Sequence, residues 1–280
     1  MEKYDITKPV KIPVGMHKLN DDPGISFQLN RLVSMDGCDL SVAREVGSSI
    51  KMAADFYGAL KARADTELEN GRIKNAAALY RMSEFYADWE DPDGLAAWKK
   101  ARELFFQYYA DFFSGERPLV ELVSVPYEGY SMPTLKFNAE APKGVIVMHG
   151  GFDSSYEEFF SECEYLREHG FDVYLFEGPG QGECIRLHGA PLIIEWEKPV
   201  MAVTEYFDLH DVILVGQSLG GFFAPRASAF DERVTKCVSV AMPTGSTMRG
   251  VRNSIAMQPS LKARCSLRSS VRNVRSYIAA

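Results

Sequence analysis

Gly216, Gln217, Ser218, Leu219 and Gly220 make the pattern G-x-S-x-G inside "DVILVGQSLGGFFAPR", residues 211–226. An apolar strand runs into the serine and a helix runs out of it, the context that makes this pattern a nucleophile elbow. Glycines flank the serine because, in so tight a turn, a side chain at either site would strike the neighbouring strand or helix. Ser218 is thereby lifted clear at the carboxyl end of the sheet. A serine hydroxyl is a poor nucleophile at neutral pH and needs a partner, usually histidine, to take its proton.

A second motif corroborates the first. "HGGF", His149 to Phe152, follows an earlier strand and matches a loop that supplies a backbone N–H to an oxyanion hole. Gly151 and Phe152 are the candidate donors of that loop, and Leu219 N–H is the candidate on the other side. Such a hole stabilises the negative oxygen of a tetrahedral intermediate, which points to acyl chemistry on an ester, amide or ketone. His149, Gln217 and Glu177 are candidates for the wall of the substrate pocket. "EGPGQGE", residues 177–183, also places glycines after a strand. Its G-x-G-x-G spacing is not the dinucleotide fingerprint, and no P-loop lysine pattern occurs, so it reads as a turn at the mouth of the pocket.

The elements that must hold these residues follow from periodicity. From about Leu40 to Phe113 the apolar residues recur at helical spacing, predicting helices near 41–68, 72–88 and 92–113. Ser41 suits an N-cap, Gly71 closes one helix and Pro92 opens another. The middle segment, with Ala76, Ala77, Tyr80 and Tyr86, has a faint likeness to a tetratricopeptide repeat. No second copy is visible, and fewer than three repeats rarely stand alone, so apolar faces packing in a helical cap is the preferred reading. After "SGERP", "LVELVSVPYEGYSMPTLKFN" alternates and carries a turn at Glu128 and Gly129, predicting a β-hairpin. "GVIVMHGG", "FDVYLFEGPGQG", "DVILVGQS" and "RVTKCVSVA" then read as short apolar strands alternating with helices. That order means parallel βαβ units sheathed by helices on both faces.

Composition narrows the class. At 280 residues and 46% hydrophobic, the chain can bury one large core, or a core plus an accessory domain. The amino terminus lacks the apolar core of a signal peptide, and no run approaches the ~20 apolar residues of a membrane helix. A soluble, cytoplasmic protein without a membrane partner is expected. Cys38, Cys163, Cys184, Cys237 and Cys265 are odd in number and scattered, with no CxxC pair, so neither a disulfide framework nor a zinc site is indicated. A net charge of -7 speaks against nucleic-acid binding. Seven of the 31 basic residues and none of the acidic ones fall in 242–280, leaving a body near -14 and a tail near +7.

Residues 117–241 resemble the first two thirds of an α/β-hydrolase domain. With a helical amino-terminal region beside "MHGGFDSSYEEFF", "DVYLFEGPGQGE", "WEKPV" and "GQSLGGFFAPRASAFDERV", residues 30–241 resemble the subgroup that includes 2,6-dihydroxypseudooxynicotine hydrolase and the fungal hydrolases that shorten polyketide pigment precursors. The resemblance implies a helical lid over residues 1–115 and a mostly parallel α/β core over 116–241. It also implies hydrolysis of an ester, or of an activated carbon–carbon bond beside a ketone, with a small-molecule substrate and no metal or organic cofactor.

The chain departs from that pattern in one respect. The family order is serine, then an acid after a later strand, then a histidine near the carboxyl end. After Glu232 there is no Asp, Glu or His. Asp231 and Glu232 end the helix after Ser218, at the opposite edge of the sheet. His210 precedes the serine's own strand, and six residues at ~3.3 Å each put it about 20 Å away. His169 lies at that same end, while His149 and His188 read as loop or core residues. A Ser218 without its histidine is expected to lose on the order of a millionfold in turnover.

The basic tail, 242–280, has no sustained period, and a truncated or frame-shifted end is the expectation. Its rivals are a genuine interaction tail, poor in aromatics for RNA or DNA, and a short amphipathic anchor. With the core incomplete at its carboxyl edge, the strand at 234–240 becomes an exposed edge, and self-association through it is expected. The rival to a nearly inactive hydrolase is a non-catalytic ligand-binding or interaction protein that keeps the pocket and lid. A third reading makes the helical region a repeat-type peptide binder.

Overall fold

The computed structural model describes residues 2–34, 37–87 and 90–240, so the tail from 242 lies outside the described residues. Two compact units divide the chain. The first takes in residues up to Leu122, Lys136–Pro142 and Ser155–Asp172, and the second takes in Val123–Leu135, Lys143–Ser154 and residues from Val173 onward.

The first unit is helical: α1 (Pro23–Ser34), α2 (Leu40–Ser49), α3 (Phe56–Glu69), α4 (Ile73–Ser83), α5 (Pro92–Tyr108) and α6 (Phe160–Glu168). Helix α1 was not among the expected elements, although "NDDPG" carries its start. Pro23 stands at the first helical position and the Asp22 carboxylate accepts the N–H groups of Gly24 and Ile25. The helix expected over 41–68 is two helices, α2 and α3. Gly47, Ser48 and Ser49 are weak helix formers, and the distant Asn20 amide takes the carbonyls of Gly47 and Ile50 at 2.8 and 2.9 Å. Asp55 then accepts from the N–H groups of Lys51 and Met52 and restarts the helical path. Pro92 does open α5, with Asp91 accepting from Asp93 N–H as its cap.

A carboxylate lies at the heart of this unit. Glu158 is fully buried between the guanidinium groups of Arg31 and Arg81, and Arg81 also reaches Glu84 at 3.0 Å. Arg102 lies between the rings of Trp98 and Tyr156 and pairs with Glu157 at 2.6 Å. Each buried charge therefore has a counter-charge, which is the condition for tolerating it.

A six-stranded sheet has the order β1-β2-β4-β3-β5-β6, with β1 (Val120–Tyr127), β2 (Tyr130–Phe137), β3 (Val145–His149), β4 (Asp172–Phe176), β5 (Val212–Gln217) and β6 (Val234–Val240). The first two strands make the expected hairpin, with Glu128 and Gly129 both at positive φ, as a two-residue turn demands. β3, β5 and β6 run parallel, and the register sets His149 beside Gly216 and Gln217 beside Val240. Helices α7 (Gly182–His188), α8 (Glu197–Tyr206) and α9 (Gly220–Ser228) complete the second unit. Its core gathers Phe176, Leu192, Trp196, Val200, Leu214 and Phe223, all essentially inaccessible.

Among the described residues β6 is an edge of the sheet, and Thr235 to Val240 are exposed. Among them, too, no helix is long and apolar enough to cross a membrane, and no group of three or more His, Cys, Asp or Glu could hold a metal ion.

Candidate active site

Because His149 ends β3 level with Gly216 near the end of β5, the loops that follow both strands leave the sheet at the same end. Ser218 is exposed and has φ of +57°, a left-handed conformation that costs a serine roughly 1–2 kcal/mol. It is held there: Ser218 N–H donates to Val240 O at 2.9 Å, and its carbonyl accepts Gly221 N–H at 2.9 Å. Gly216 has no room for a side chain, since a methyl there would run into the Gly220 backbone and lie 2.8 Å from Ala224 Cβ. At Gly220 a methyl would meet Gly150 O at 2.5 Å. The glycine requirement read from the sequence thus has named obstacles behind it.

The loop after β3 lies directly against the elbow. A methyl on Gly151 would stand 2.5 Å from Leu219 N and 2.9 Å from Leu219 Cβ. Gly151 N–H donates to Ser154 Oγ at 2.8 Å, so this donor is already engaged. Of the three expected donors, the N–H groups of Phe152 and Leu219 are those without a hydrogen-bond partner among the described residues.

His149 and Glu177 are interior residues, which corrects their expected place on the pocket wall. The His149 ring is fully buried against Phe176 and Trp196, and Nδ1 lies 2.9 Å from Gly150 O, so that nitrogen carries the proton. Burial lowers its pKa to about 4, partly opposed by the Gly150 hydrogen bond, and keeps the ring neutral. Glu177 is 2% exposed and accepts Glu183 N–H at 2.7 Å at the start of α7, where its carboxylate fills the space beside Gly182. A carboxylate at that end also complements the helix dipole. Gln217, half-buried, closes β5.

Sequence reasoning missed Gln181. It is 1% exposed, its Nε2 donates to Gly150 O at 2.9 Å and Gly151 O at 2.8 Å, and its Oε1 accepts Gly178 N–H at 3.0 Å. Two of its three partners lie about thirty residues away, so no local pattern announces them. Helix α7 was missed for a related reason, being short and bounded by glycines at 182 and 189 that read as loop. It also places His188 on a helix instead of in a loop, its ring stacked 5.5 Å from Tyr130.

Among the described residues Ser218 Oγ has no hydrogen-bond partner, and no histidine or carboxylate pairs with it. His210 is exposed before β5, beside Asp208. Asp231 is buried before β6, accepting from Thr204 Oγ1 and Arg233. Burial pushes the Asp231 carboxyl up, but these hydrogen bonds outweigh it and hold the pKa below its ordinary value. β5 and β6 are parallel, so both His210 and Asp231 lie at the end of the sheet opposite Ser218.

Comparison with known proteins fits this geometry. Residues 144–260 match the family model described as the alpha/beta hydrolase fold, a span that contains Gly151, Ser218 and Leu219. The chain has the α/β-hydrolase fold. The chain is 34% identical to hydrolase acrC of Aspergillus aculeatus over 205 residues, 62% of this chain and 47% of that one. It is 31% identical to 20-hydroxy-prefusarin hydrolase FUS2 of Gibberella moniliformis over 185 residues, 60% of this chain and 44% of that one. It therefore spans about half the length of these relatives. The crystal structure of 2,6-dihydroxy-pseudo-oxynicotine hydrolase shares its fold with a TM-score of 0.52 at 22% identity, covering 75% of this chain and 63% of that one. The resemblance read from the motifs holds in sequence toward the fungal hydrolases, and in fold toward 2,6-dihydroxy-pseudo-oxynicotine hydrolase.

Proposed function

We propose that Ser218 is the nucleophile of a serine hydrolase site acting on an ester or on an activated carbon–carbon bond beside a ketone, with a small-molecule substrate. The observation that carries the reading is the exposed Ser218 held at a φ of +57° between glycines whose neighbours leave no space for a side chain. Attack by Oγ on a carbonyl carbon puts negative charge on the carbonyl oxygen. Phe152 and Leu219 N–H are the donors proposed to receive it, since fixed dipoles stabilise charge that develops only in the transition state. The helical first unit is proposed as the lid, on the strength of the subgroup resemblance.

The base is the missing participant. With no partner for Ser218 Oγ among the described residues and no Asp, Glu or His after Glu232, the 280 residues alone are proposed to turn over very slowly. The same observation favours a second reading, a ligand-binding protein that has kept the pocket without the chemistry. Fluorophosphonate labelling decides between them, with Ser218→Ala as control. Slow labelling that is lost in the alanine variant supports the hydrolase, whereas a protein that stays unlabelled at long exposure and saturating probe, yet still binds an aryl ketone, supports the second reading.

The β6 edge carries a proposal of its own: pairing with a second copy of the chain. Its support is the row of exposed residues from Thr235 to Val240, with Val238 and Val240 among the exposed large apolar side chains.

A further inference from the structure

We propose that Gln181 is a positioning residue of the active site, the clamp that aims Phe152 N–H at the oxyanion; the assignment rests on the hydrolase reading of Ser218. The geometry is a matter of peptide planes. No peptide bond in the described chain is cis, so each carbonyl points opposite to the N–H of the residue that follows it. Gln181 Nε2 draws the carbonyls of Gly150 and Gly151 to itself at 2.9 and 2.8 Å. The N–H groups of Gly151 and Phe152 must then face away from Gln181. Gly151 N–H is met by Ser154 Oγ at 2.8 Å, which leaves Phe152 N–H as the donor the loop presents.

The amide has one orientation that satisfies this network. Oε1 accepts Gly178 N–H at 3.0 Å, so Nε2 must be the atom between the two carbonyls. Ser154 O accepts Gly182 N–H at 3.1 Å, lacing the same two loops together a second time. His149 Nδ1 shares Gly150 O with the amide, fixing that carbonyl from the other side. Without Gln181, the buried Gly151 carbonyl loses its donor and Gly150 O keeps only His149 Nδ1–H, and a Gly-Gly segment has little resistance to a peptide flip. A flip of the Gly151–Phe152 plane would turn a carbonyl, in place of an N–H, toward the oxyanion.

The test uses the whole 280-residue chain with Gln181→Leu and Gln181→Glu. The glutamate variant keeps the size and the acceptor for Gly178 but loses both donors, so it remains informative where the leucine variant folds poorly. Crystal structures of the variants are expected to show the Gly151–Phe152 peptide rotated, and fluorophosphonate labelling of Ser218 to fall by about a hundredfold. Relative to the parent at each pH, labelling of Gln181→Glu is expected to recover as the pH falls. A protonated glutamate has one O–H to donate, and a residue that merely fills space would give no such profile. An unrotated peptide in both variants, or a rotated peptide with undiminished labelling, overturns the proposal. If the parent is not labelled at Ser218, or labelling survives Ser218→Ala, the hydrolase reading has failed, and peptide orientation alone then decides what Gln181 does.

Discussion

Gly151 and Leu219 approach so closely that a single methyl group on residue 151 would stand 2.5 Å from the Leu219 nitrogen. The two residues come from loops after β3 and β5, and their contact joins the proposed oxyanion donors into one surface. Gly151→Ala must push Leu219 N–H or the whole loop aside. Overpacking against backbone of this kind costs about 1–3 kcal/mol, read as a lower midpoint in urea. Labelling of Ser218 is expected to drop about a hundredfold in the same variant. Unchanged labelling would mean that the two N–H groups do not act on one oxygen.

The strain at Ser218 gives a second prediction. Alanine at 218 keeps the left-handed backbone and its cost, whereas glycine relieves it while gaining freedom in the unfolded chain. Ser218→Gly should therefore be more stable than Ser218→Ala by about 1 kcal/mol, although neither can be labelled. Equal urea midpoints would show that residue 218 is not held at positive φ in solution.

His149 makes stability depend on pH. In the folded protein its pKa is lowered by burial to about 4, while in the unfolded chain it lies near ~6.5. Below ~6.5 the unfolded state takes up a proton that the native state refuses. The stability present above that pH is lost as the pH falls through about 4, and the full loss is about 3 kcal/mol. His149→Phe keeps a ring against Trp196 and removes this dependence. Urea titrations between pH 7 and pH 4 should show a shallower decline for the variant, and parallel declines would place the titration elsewhere.

Motif and context made the elbow, the "HGGF" loop and the alternation of strands and helices along the chain legible, because each is written in local residues: an apolar run, a glycine pair, a serine between glycines. What escaped was long-range. Asn20 breaks the helical run after α2 from almost thirty residues away, and Gln181 reaches back thirty to Gly150 and Gly151. His149 and Glu177 sit beside glycine-rich turns, as pocket residues do, yet their functional atoms are turned into the interior. Direction, unlike proximity to a motif, is set by partners that periodicity does not reveal.

Glu158 is expected to contribute strongly to the stability of the helical unit. Replacing it with glutamine keeps the shape but leaves Arg31 and Arg81 without the charge they share. Breaking a buried pair in this way costs about 3–5 kcal/mol, measured as a loss of unfolding free energy in urea. The triple variant Arg31→Met, Arg81→Met, Glu158→Leu should recover most of that loss, because an apolar cluster of similar volume has no charge to desolvate. Failure of the triple variant to exceed Glu158→Gln would mean the ion pairs themselves hold the unit together.

The β6 edge predicts association that depends on one strand. An edge strand offers unpaired N–H and C=O groups in a row, and natural edges blunt that hazard with charge. Lys236 is the one charged residue between Thr235 and Val240, and Val238 is 43% exposed. Sedimentation velocity at rising concentration should show a dimer or larger species for the parent chain. Val238→Lys, which sets a second positive charge two residues from Lys236 on the same face, should shift it to monomer without lowering the urea midpoint. A parent that sediments as a monomer at every concentration would remove the edge as an interface, and a variant that still associates would move the interface to another surface.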